Sequence, residues 1–409
     1  MNYNLRNNCL ICNSERLETI IELGIHPFAD TFIPFDRLDD NEPVYPLECI
    51  KCRDCNHIQL KYITDPQKRY NDYEYSFTSS NSKVAKEHWK SFFNDTISKL
   101  NLSKDSLVVE IGSNDGGLGE HYIKNGNSYI GVDASKAMCE IARERKVKTI
   151  HGFFNKESVD KILDSRGKAS LIIANNVLNH ADSPTNFIKN INEIISENHG
   201  VFTFEVPYWL IEHKTNSFGK IYHEHVNYFT ITSLKKLLDI YNFEIFSIQV
   251  LNYHGGSIRV YTKKKSNSNF IIGKEIQLMI EEENRSGVFK IDSYKKFQKT
   301  IEKNRKNLLG RIEIIKSKNY PIIGIGASAK GNTFLNFYRL DYNTIEYITD
   351  ISVHKIGKLT PKSRIPITTD SILKDYGEVY VIVLTENLSS NFKSYLLSLN
   401  SKIKFIYET

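Results

Sequence analysis

Residues 220–230, KIYHEHVNYFT, concentrate side chains that can exchange protons or bind metals. A phenol, a carboxylate and two imidazoles stand in a row at Tyr222, His223, Glu224 and His225. A metal site, an acid–base site and a solvated loop are the three interpretations. The two histidines are separated by one residue, whereas metal-binding histidines on a helix are four positions apart. This spacing argues against a metal site and leaves an acid–base site and a solvated loop as the remaining interpretations.

The cysteines indicate a second kind of site. Cys9 and Cys12 form one C-x2-C pair, and Cys52 and Cys55 form another about 40 residues later. Two such pairs can present four thiolates to a tetrahedral Zn²⁺ ion. Cys49 is surplus and is assigned to the incoming strand. Because four thiolates leave no open coordination position, we expect a structural zinc and not a catalytic one.

A glycine turn in the middle of the chain predicts a cofactor site. The run LVVEI at 107–111 predicts a buried strand, which leads into an E-x-G-x-x-x-G turn that starts at Glu110 and Gly112. The next strand, YIGVD, ends at Asp133, where an acidic residue normally binds ribose hydroxyls in a doubly wound sheet. The turn lacks the dinucleotide pattern G-x-G-x-x-G and has the form usual in S-adenosylmethionine methyltransferases.

Further polar residues follow predicted strands. The predicted strand LIIA is followed by Asn175, Asn176 and His180, and GVFTFEVP carries Glu205 near its end. Ligands of open α/β sheets bind outside the carboxyl ends of the strands. These side chains are therefore predicted to gather at one edge of the sheet.

The last hundred residues repeat the arrangement. A strand at 322–325 leads into GASAKG, where Ser328 and Lys330 stand at a predicted helix N-terminus that suits phosphate. The next strand ends at Asp350, which predicts a second Rossmann-like unit. Residues 281–318 are predicted to form a connecting helix with one apolar stripe. The stripe comprises Phe297, Ile301, Leu308, Ile312 and Ile315.

Composition narrows the functional class. The chain has 409 residues, 40% hydrophobic and 25% charged, which is ordinary for a globular protein of two or three domains. It has no apolar run long enough to span a membrane and no signal-peptide pattern, so a cytoplasmic protein is expected. The net charge is +6, but the basic residues are dispersed among acidic ones, so no nucleic-acid site is expected.

Taken together, these segments resemble the nucleotide-sugar C-methyltransferases, including the tetronitrose and mycarose 3-C-methyltransferases of deoxysugar pathways. The resemblance extends over the whole chain. YHEH and HGGS are specific to that family, whereas the glycine turn is not. The matching segments are CLIC, HPFADTF, YPLECIKCRDCNHIQL, EIGSNDGG, NNVLNHADSP, EVPY, IYHEHVNYF, HGGSIRVY and GASAKGNTFLNF.

The resemblance implies an α/β enzyme of three domains. Residues 1–75 would bind zinc, residues 76–265 would form the Rossmann-like S-adenosylmethionine methyltransferase core, and residues 266–409 would form a C-terminal Rossmann-like domain. The implied reaction is S-adenosylmethionine-dependent C-methylation of a nucleotide-linked 4-keto deoxysugar, with C3 as the expected position. The nucleotide would be held partly by the C-terminal domain. The resemblance implies neither a membrane partner nor a nucleic-acid partner, and we expect a monomer.

The reaction implied by the resemblance assigns a role to each of three residues in YHEH. A sugar carbon becomes nucleophilic only when a base removes the proton beside the ketone and a donor stabilises the enolate oxygen. The resemblance assigns the base to His225 and the enolate donor to Tyr222. Glu224 would bind the sugar or orient His225.

The resemblance extends the site to other segments. A tyrosine-rich segment of the family has two possible registers here, which place either Tyr73 and Tyr75 or Tyr75 and Phe77 in the sugar pocket. Tyr75 is accordingly a catalytic candidate. The cofactor candidates are Glu110, Gly112, Asn114, Asp133, Asn176 and Val177. The substrate candidates are His180, Arg259, Ser328 and Lys330.

Three alternative functions are compared with C-methylation of a nucleotide sugar. Methyl transfer to a sugar oxygen would use the same domains. A nicotinamide-dependent oxidoreductase is favoured by the C-terminal glycine turn, but the first turn and YHEH are against it. A zinc-containing nucleic-acid binder would need a basic stripe that the sequence does not contain.

Overall fold

The computed structural model of the protein describes residues 3–70, 82–385 and 390–406. Tyr73, Tyr75 and Phe77 lie outside the described residues. The strands are β1 (Tyr3–Leu5), β2 (Leu17–Pro27), β3 (Ile33–Pro34), β4 (Val44–Cys52), β5 (Ile58–Leu60), β6 (Tyr62–Thr64), β7 (Leu107–Ile111), β8 (Ser128–Asp133), β9 (Thr149–His151), β10 (Leu171–Ile173), β11 (Val201–Pro207), β12 (Asn227–Tyr228), β13 (Phe243–Leu251), β14 (Ser257–Lys264), β15 (Ile322–Ile325), β16 (Tyr347–Thr349), β17 (Lys358–Leu359), β18 (Ile367–Thr368), β19 (Val379–Val383) and β20 (Ile403–Phe405). The α-helices are α1 (Pro66–Tyr70), α2 (Lys83–Leu100), α3 (Gly119–Asn125), α4 (Lys136–Glu144), α5 (Lys156–Arg166), α6 (Pro184–Ile194), α7 (Trp209–Thr215), α8 (Ile231–Asp239), α9 (Lys274–Ser286), α10 (Ile291–Ser317), α11 (Ala329–Tyr338) and α12 (Ser390–Leu399).

The central sheet of the described chain has the order β13-β14-β11-β10-β7-β8-β9. Strands β9, β8, β7, β10 and β11 are parallel, and the β13–β14 hairpin adds two antiparallel strands at one edge. The apolar run of β7 is buried on both faces, as expected for a central parallel strand. The strand order reverses between β7 and β10, so a ligand crevice is expected at their carboxyl ends.

The N-terminal sheet is antiparallel and has the order β12-β5-β4-β2. Its outer strand, β12, comes from the middle of the chain and pairs Asn227 with Gln59 and Tyr228 with Ile58. The residues directly after YHEH are therefore a strand of the N-terminal sheet. This pairing brings the N-terminal unit against the crevice of the central sheet.

The C-terminal sheet has the order β18-β16-β15-β19-β20, and all its paired strands are parallel. Gly326 follows β15 with φ +89°, and a Cβ there would lie 2.1 Å from the Thr385 side chain, so only glycine fits this turn. Strand β17 pairs with β3, which joins this unit to the N-terminal one. Both Rossmann-like units predicted from the sequence are thus present.

The predicted connecting helix is two helices. Helix α10 buries the whole predicted apolar stripe, but α9 ends at Ser286 because Gly287 adopts φ +80°, a left-handed conformation that stops a helix. Residues 281–286 therefore belong to α9. In the described ranges, no helix is both long enough and apolar enough to cross a membrane.

Candidate active site

Four cysteine side chains converge in the N-terminal unit. The sulfur atoms of Cys9, Cys12, Cys52 and Cys55 all lie within 4.8 Å of one another. The Cys9–Cys55 and Cys12–Cys52 sulfur pairs are each 3.5 Å apart. Tetrahedral zinc with Zn–S bonds of about 2.3 Å would separate its ligands by about 3.8 Å, so the cluster fits a structural zinc ion. The structure thus brings the four predicted zinc ligands together.

The turns that carry these thiols have the expected backbone arrangement. The amide of Ile11 points at the sulfur of Cys9 and that of Asp54 at the sulfur of Cys52, at 3.5 and 3.3 Å. These amides stabilise thiolate charge. Cys49 lies buried in β4, as expected for the incoming strand, and is not part of the cluster.

The glycine turn after β7 packs against the loop after β10. Gly112 has φ +69°, and a Cβ there would lie 2.3 Å from Cγ2 of Val177, so a side chain would force the two loops apart. Asn114 and Asn176 also adopt left-handed backbone conformations, with φ of 49° and 55°. The close approach forms the narrow base of a cleft at the point where the strand order reverses.

Asp133 stands at the end of β8 with both carboxylate oxygens fixed. Its Oδ2 accepts a hydrogen bond from the amide of Asn114 and its Oδ1 from the amide of Ser135, each at 2.8 Å. Burial raises the pKa of Asp133. Since a carboxylate oxygen has two lone pairs, each can accept a further hydrogen bond from a ribose hydroxyl. The residue thus fits the ribose of S-adenosylmethionine.

Glu110 lies beside this turn in a different environment. It is buried, and the hydroxyl of Tyr129 donates to its Oε2 at 2.5 Å. Burial is the largest cause that raises the pKa of Glu110, to about 8. This carboxyl group is therefore largely protonated at neutral pH, and it can act as both a donor and an acceptor.

A cavity of about 1180 Å³ joins these groups to YHEH and to the C-terminal unit. All six cofactor candidates line it. Further wall residues come from YHEH, the β10 loop and the C-terminal unit. They include Tyr222, Glu224, His225, His180, Ser328, Lys330 and Lys355. The cavity is large enough for two ligands side by side, because single-ligand pockets commonly occupy about 300–1,000 Å³.

The ring of His225 is held in one tautomer. Its Nδ1 donates to the carbonyl oxygen of Lys220 at 2.8 Å, so Nε2 carries the lone pair. The hydroxyl of Tyr222 donates to this Nε2 at 2.6 Å. Burial, followed by the nearby His180, lowers the pKa of His225 well below its usual value. His225 is therefore neutral at pH 7 and can accept a proton at Nε2.

Lys220 is itself anchored. Its ammonium group donates to Glu212 at 2.5 Å and to the carbonyl oxygens of Gly255 and Gly256 at 2.9 and 3.1 Å. The lysine and the glutamate are both buried. Because this ion pair fixes the Lys220 backbone, it also fixes the carbonyl that orients His225.

Glu224 and His223 differ in what they contact. Glu224 lines the cavity, accepts a hydrogen bond from the amide of Asp30 at 3.5 Å, and has its pKa raised to about 7, chiefly by burial. His223 packs edge-on against Phe28 and Tyr45 in the N-terminal unit. It does not line the cavity. Of the two imidazoles in YHEH, only His225 is therefore placed for chemistry.

The C-terminal contribution includes residues that sequence reasoning missed. Ser328 caps α11 by accepting from the amide of Gly331 at 2.9 Å, so part of its hydrogen-bonding capacity is already used. Lys355 lines the cavity close to Asp30 of the N-terminal unit, with 3.9 Å between ammonium and carboxylate. Lys355 could have been suspected, because it follows the Asp350 that closes the second Rossmann-like motif. Asp30 lies in HPFADTF, one of the segments that carry the family resemblance.

Arg259 lies elsewhere than predicted. Its guanidinium group is buried and bonds to Glu205 and to Asp95, each at 2.7 Å. It is not among the residues that line the cavity. The arginine neutralises a buried glutamate at the end of β11, so its prediction as a substrate ligand is not supported by this placement. Tyr75, the remaining catalytic candidate, lies outside the described residues.

The comparisons with known proteins match this architecture from one end to the other. A putative zinc binding domain matches residues 9–70, a methyltransferase domain matches 85–248, and a C-methyltransferase C-terminal domain matches 252–407. C-methyltransferase NovU from Streptomyces niveus is 26% identical over 379 residues, which cover 93% of this chain and 89% of that protein. The resemblance to the C-methyltransferases and the S-adenosylmethionine methyltransferase fold are confirmed.

Solved methyltransferase structures align with less than half of the chain. A magnesium protoporphyrin IX methyltransferase from Synechocystis PCC 6803 with bound S-adenosylmethionine is 14% identical, covers 44% of this chain and 79% of its own, and has a TM-score of 0.34. An S-adenosylmethionine-dependent methyltransferase from Clostridium acetobutylicum is 14% identical, covers 45% and 93%, and has a TM-score of 0.36. At these scores neither structure bears on the substrate.

Proposed function

We propose that this chain, which is related to the C-methyltransferases over nearly its whole length, methylates a carbon of a nucleotide-linked 4-keto deoxysugar, with C3 as the methylated position. One observation carries the proposal. A continuous cavity joins the cofactor turn at Gly112 and Asp133 to the Tyr222–His225 pair. S-adenosylmethionine would supply the methyl group at one end, and the sugar would lie at the other.

The Tyr222–His225 hydrogen bond suits enolate formation. The Tyr222 hydroxyl donates to the Nε2 lone pair of His225. A keto sugar that displaces this hydroxyl would free both groups together. His225 would then remove the proton beside the ketone, and Tyr222 would donate to the developing enolate oxygen. The desolvated imidazolium is stabilised by the negative charge of the enolate beside it.

Glu224 and the lysines are assigned to substrate binding. Glu224 has a pKa near 7, so it can either accept from or donate to a sugar hydroxyl. Lys330 and Lys355 supply positive charge at the C-terminal wall of the cavity. Cations at this wall suit a diphosphate, which a nucleotide sugar carries and a free sugar does not.

The test is incubation with S-adenosylmethionine labelled with carbon-13 at the methyl group and a panel of nucleotide-linked 4-keto sugars. Mass spectrometry should detect a gain of one CH2 unit, and NMR should place the labelled methyl group on carbon. A labelled methyl group on oxygen would favour the O-methyltransferase alternative. A product oxidised or reduced with a nicotinamide cofactor, and not methylated, would favour an oxidoreductase.

A further inference from the structure

We propose that Asn227 and His57, two residues of the N-terminal sheet and its adjoining turn, are positioning residues. They set the distance between the loop that carries His225 and the loop that carries His180. The inference rests on the proposed function, because it concerns how the catalytic histidine is held. Neither residue lines the cavity.

The side chain of Asn227 makes hydrogen bonds to two different parts of the fold. Its Nδ2 donates to the carbonyl oxygens of Ala181 and Leu178, at 2.7 and 3.5 Å. Its Oδ1 pairs with Nε2 of His57 at 3.1 Å. Because an amide oxygen only accepts, His57 must donate from Nε2. Both side chains are buried, at 2% and 0% exposure, so this hydrogen bonding does not compete with water.

The hydrogen bonds of Asn227 connect the segments that carry His180 and His225. Leu178 and Ala181 flank His180 in the loop after β10, and His225 lies two residues before Asn227. The rings of His180 and His225 meet edge to face, with 4.9 Å between their centres. One amide group thus ties the β10 loop to the YHEH loop beside the reacting ring.

The N-terminal sheet supplies the fixed point. Asn227 pairs with Gln59 in the β12–β5 ladder, and the amide of Leu60 donates to the carbonyl of Val226 at 2.9 Å. His57 follows the zinc ligand Cys55 by two residues, and its carbonyl accepts from the amide of Cys52 at 2.8 Å. The turn that carries the predicted zinc ligands Cys52 and Cys55 therefore also positions the His57 imidazole, which hydrogen-bonds to Asn227.

Substitutions of Asn227 and His57 can remove or keep individual hydrogen bonds, which tests the positioning role. Asn227→Asp keeps an acceptor for His57 but loses the donors to Ala181 and Leu178. His57→Leu loses the donor to Asn227, whereas His57→Gln keeps an N–H near the position of Nε2. Since a displacement of about 1 Å at a reacting group can cost about a hundredfold in rate, we expect Asn227→Asp and His57→Leu to lower kcat ten- to a hundredfold. His57→Gln should stay within a few-fold of the wild type.

Five measurements separate positioning from a general loss of structure. Zinc content, the affinity for S-adenosylmethionine and the cooperativity of thermal unfolding should match those of the wild type in every variant. KM should change less than kcat, because neither residue contacts Ser328, Lys330 or Lys355 on the C-terminal side of the substrate wall. The nitrogen-15 spectrum of the His225 ring, identified by its loss in His225→Gln, should change in Asn227→Asp and His57→Leu but not in His57→Gln.

The ring spectrum needs no substrate, so it remains informative if no tested sugar is methylated. An unchanged His225 signal in Asn227→Asp and His57→Leu would overturn the inference even if the wild type is inactive on the panel. An active wild type with variants of equal kcat would overturn it and leave the proposed function standing. If Asn227→Asp does not fold, the His57→Leu and His57→Gln pair decides alone.

Discussion

Replacement of Asp133 by alanine should weaken S-adenosylmethionine binding by roughly ten- to a hundredfold. The amides of Asn114 and Ser135 hold the two carboxylate oxygens at 2.8 Å each, on the wall of the cavity. A hydrogen bond to a charged group contributes about 1.5 to 3 kcal/mol. Each 1.4 kcal/mol is about a factor of ten in affinity, which gives the stated range. Asp133→Asn keeps one oxygen for an amide and should lose less.

The measurement is isothermal titration calorimetry with S-adenosylmethionine, and the chain offers a matched control. Asp350 accepts from the amides of Ala327 and Ser352, each at 2.8 Å, in the same arrangement within the C-terminal unit. It does not line the cavity, so Asp350→Ala should leave the affinity unchanged. Unchanged affinity in Asp133→Ala, or an equal loss in both variants, would refute the assignment of the ribose to Asp133.

Three further predictions concern the metal, the buried carboxyl and the enolate donor. Cys52→Ser should lose zinc and solubility together, whereas Cys49→Ser should keep its metal by elemental analysis; retained zinc in Cys52→Ser would contradict the four-cysteine site. Because burial raises the pKa of Glu110 from 4.5 to about 8, its folded form holds a proton that the unfolded chain releases. The free energy of unfolding should therefore fall as pH rises from 4.5 to 8, by up to about 5 kcal/mol, and Glu110→Gln should flatten this slope in urea titrations. Tyr222→Phe should keep its cofactor affinity and lose about a hundredfold in kcat, and a smaller KM-only effect would remove Tyr222 as the enolate donor.

The elements with strong local signals could be predicted from the sequence. The run LVVEI is β7 from its first residue to its last, and the glycine turn after it has the close loop packing that requires glycine. The C-x2-C spacing predicted which four cysteines converge, because tetrahedral thiolate geometry fixes this spacing locally. The break at Gly287 was missed because the apolar stripe begins only at Phe297, and the residues before it carry no signal that Gly287 adopts a left-handed conformation.

The site was predictable in its parts but not in its assembly. Arg259 was expected to contact the substrate, but its guanidinium group bonds to Glu205 and Asp95. Ion pairs between residues so far apart in the chain cannot be predicted from the spacing of residues in the sequence. Asp30 and Lys355 reach the cavity only because the N-terminal and C-terminal units meet there. The same holds for strand β12, whose two residues complete a sheet that is otherwise formed near the N-terminus.

Solvent-deuterium exchange tests the central claim most directly. Wild-type protein in D2O, given a nucleotide-linked 4-keto sugar and S-adenosylhomocysteine, should exchange the proton beside the ketone without methyl transfer. His225→Gln should lose both this exchange and the methylation supported by S-adenosylmethionine, while it still binds the cofactor. A folded His225→Gln protein that exchanges the proton and methylates the sugar at the wild-type rate would contradict the account.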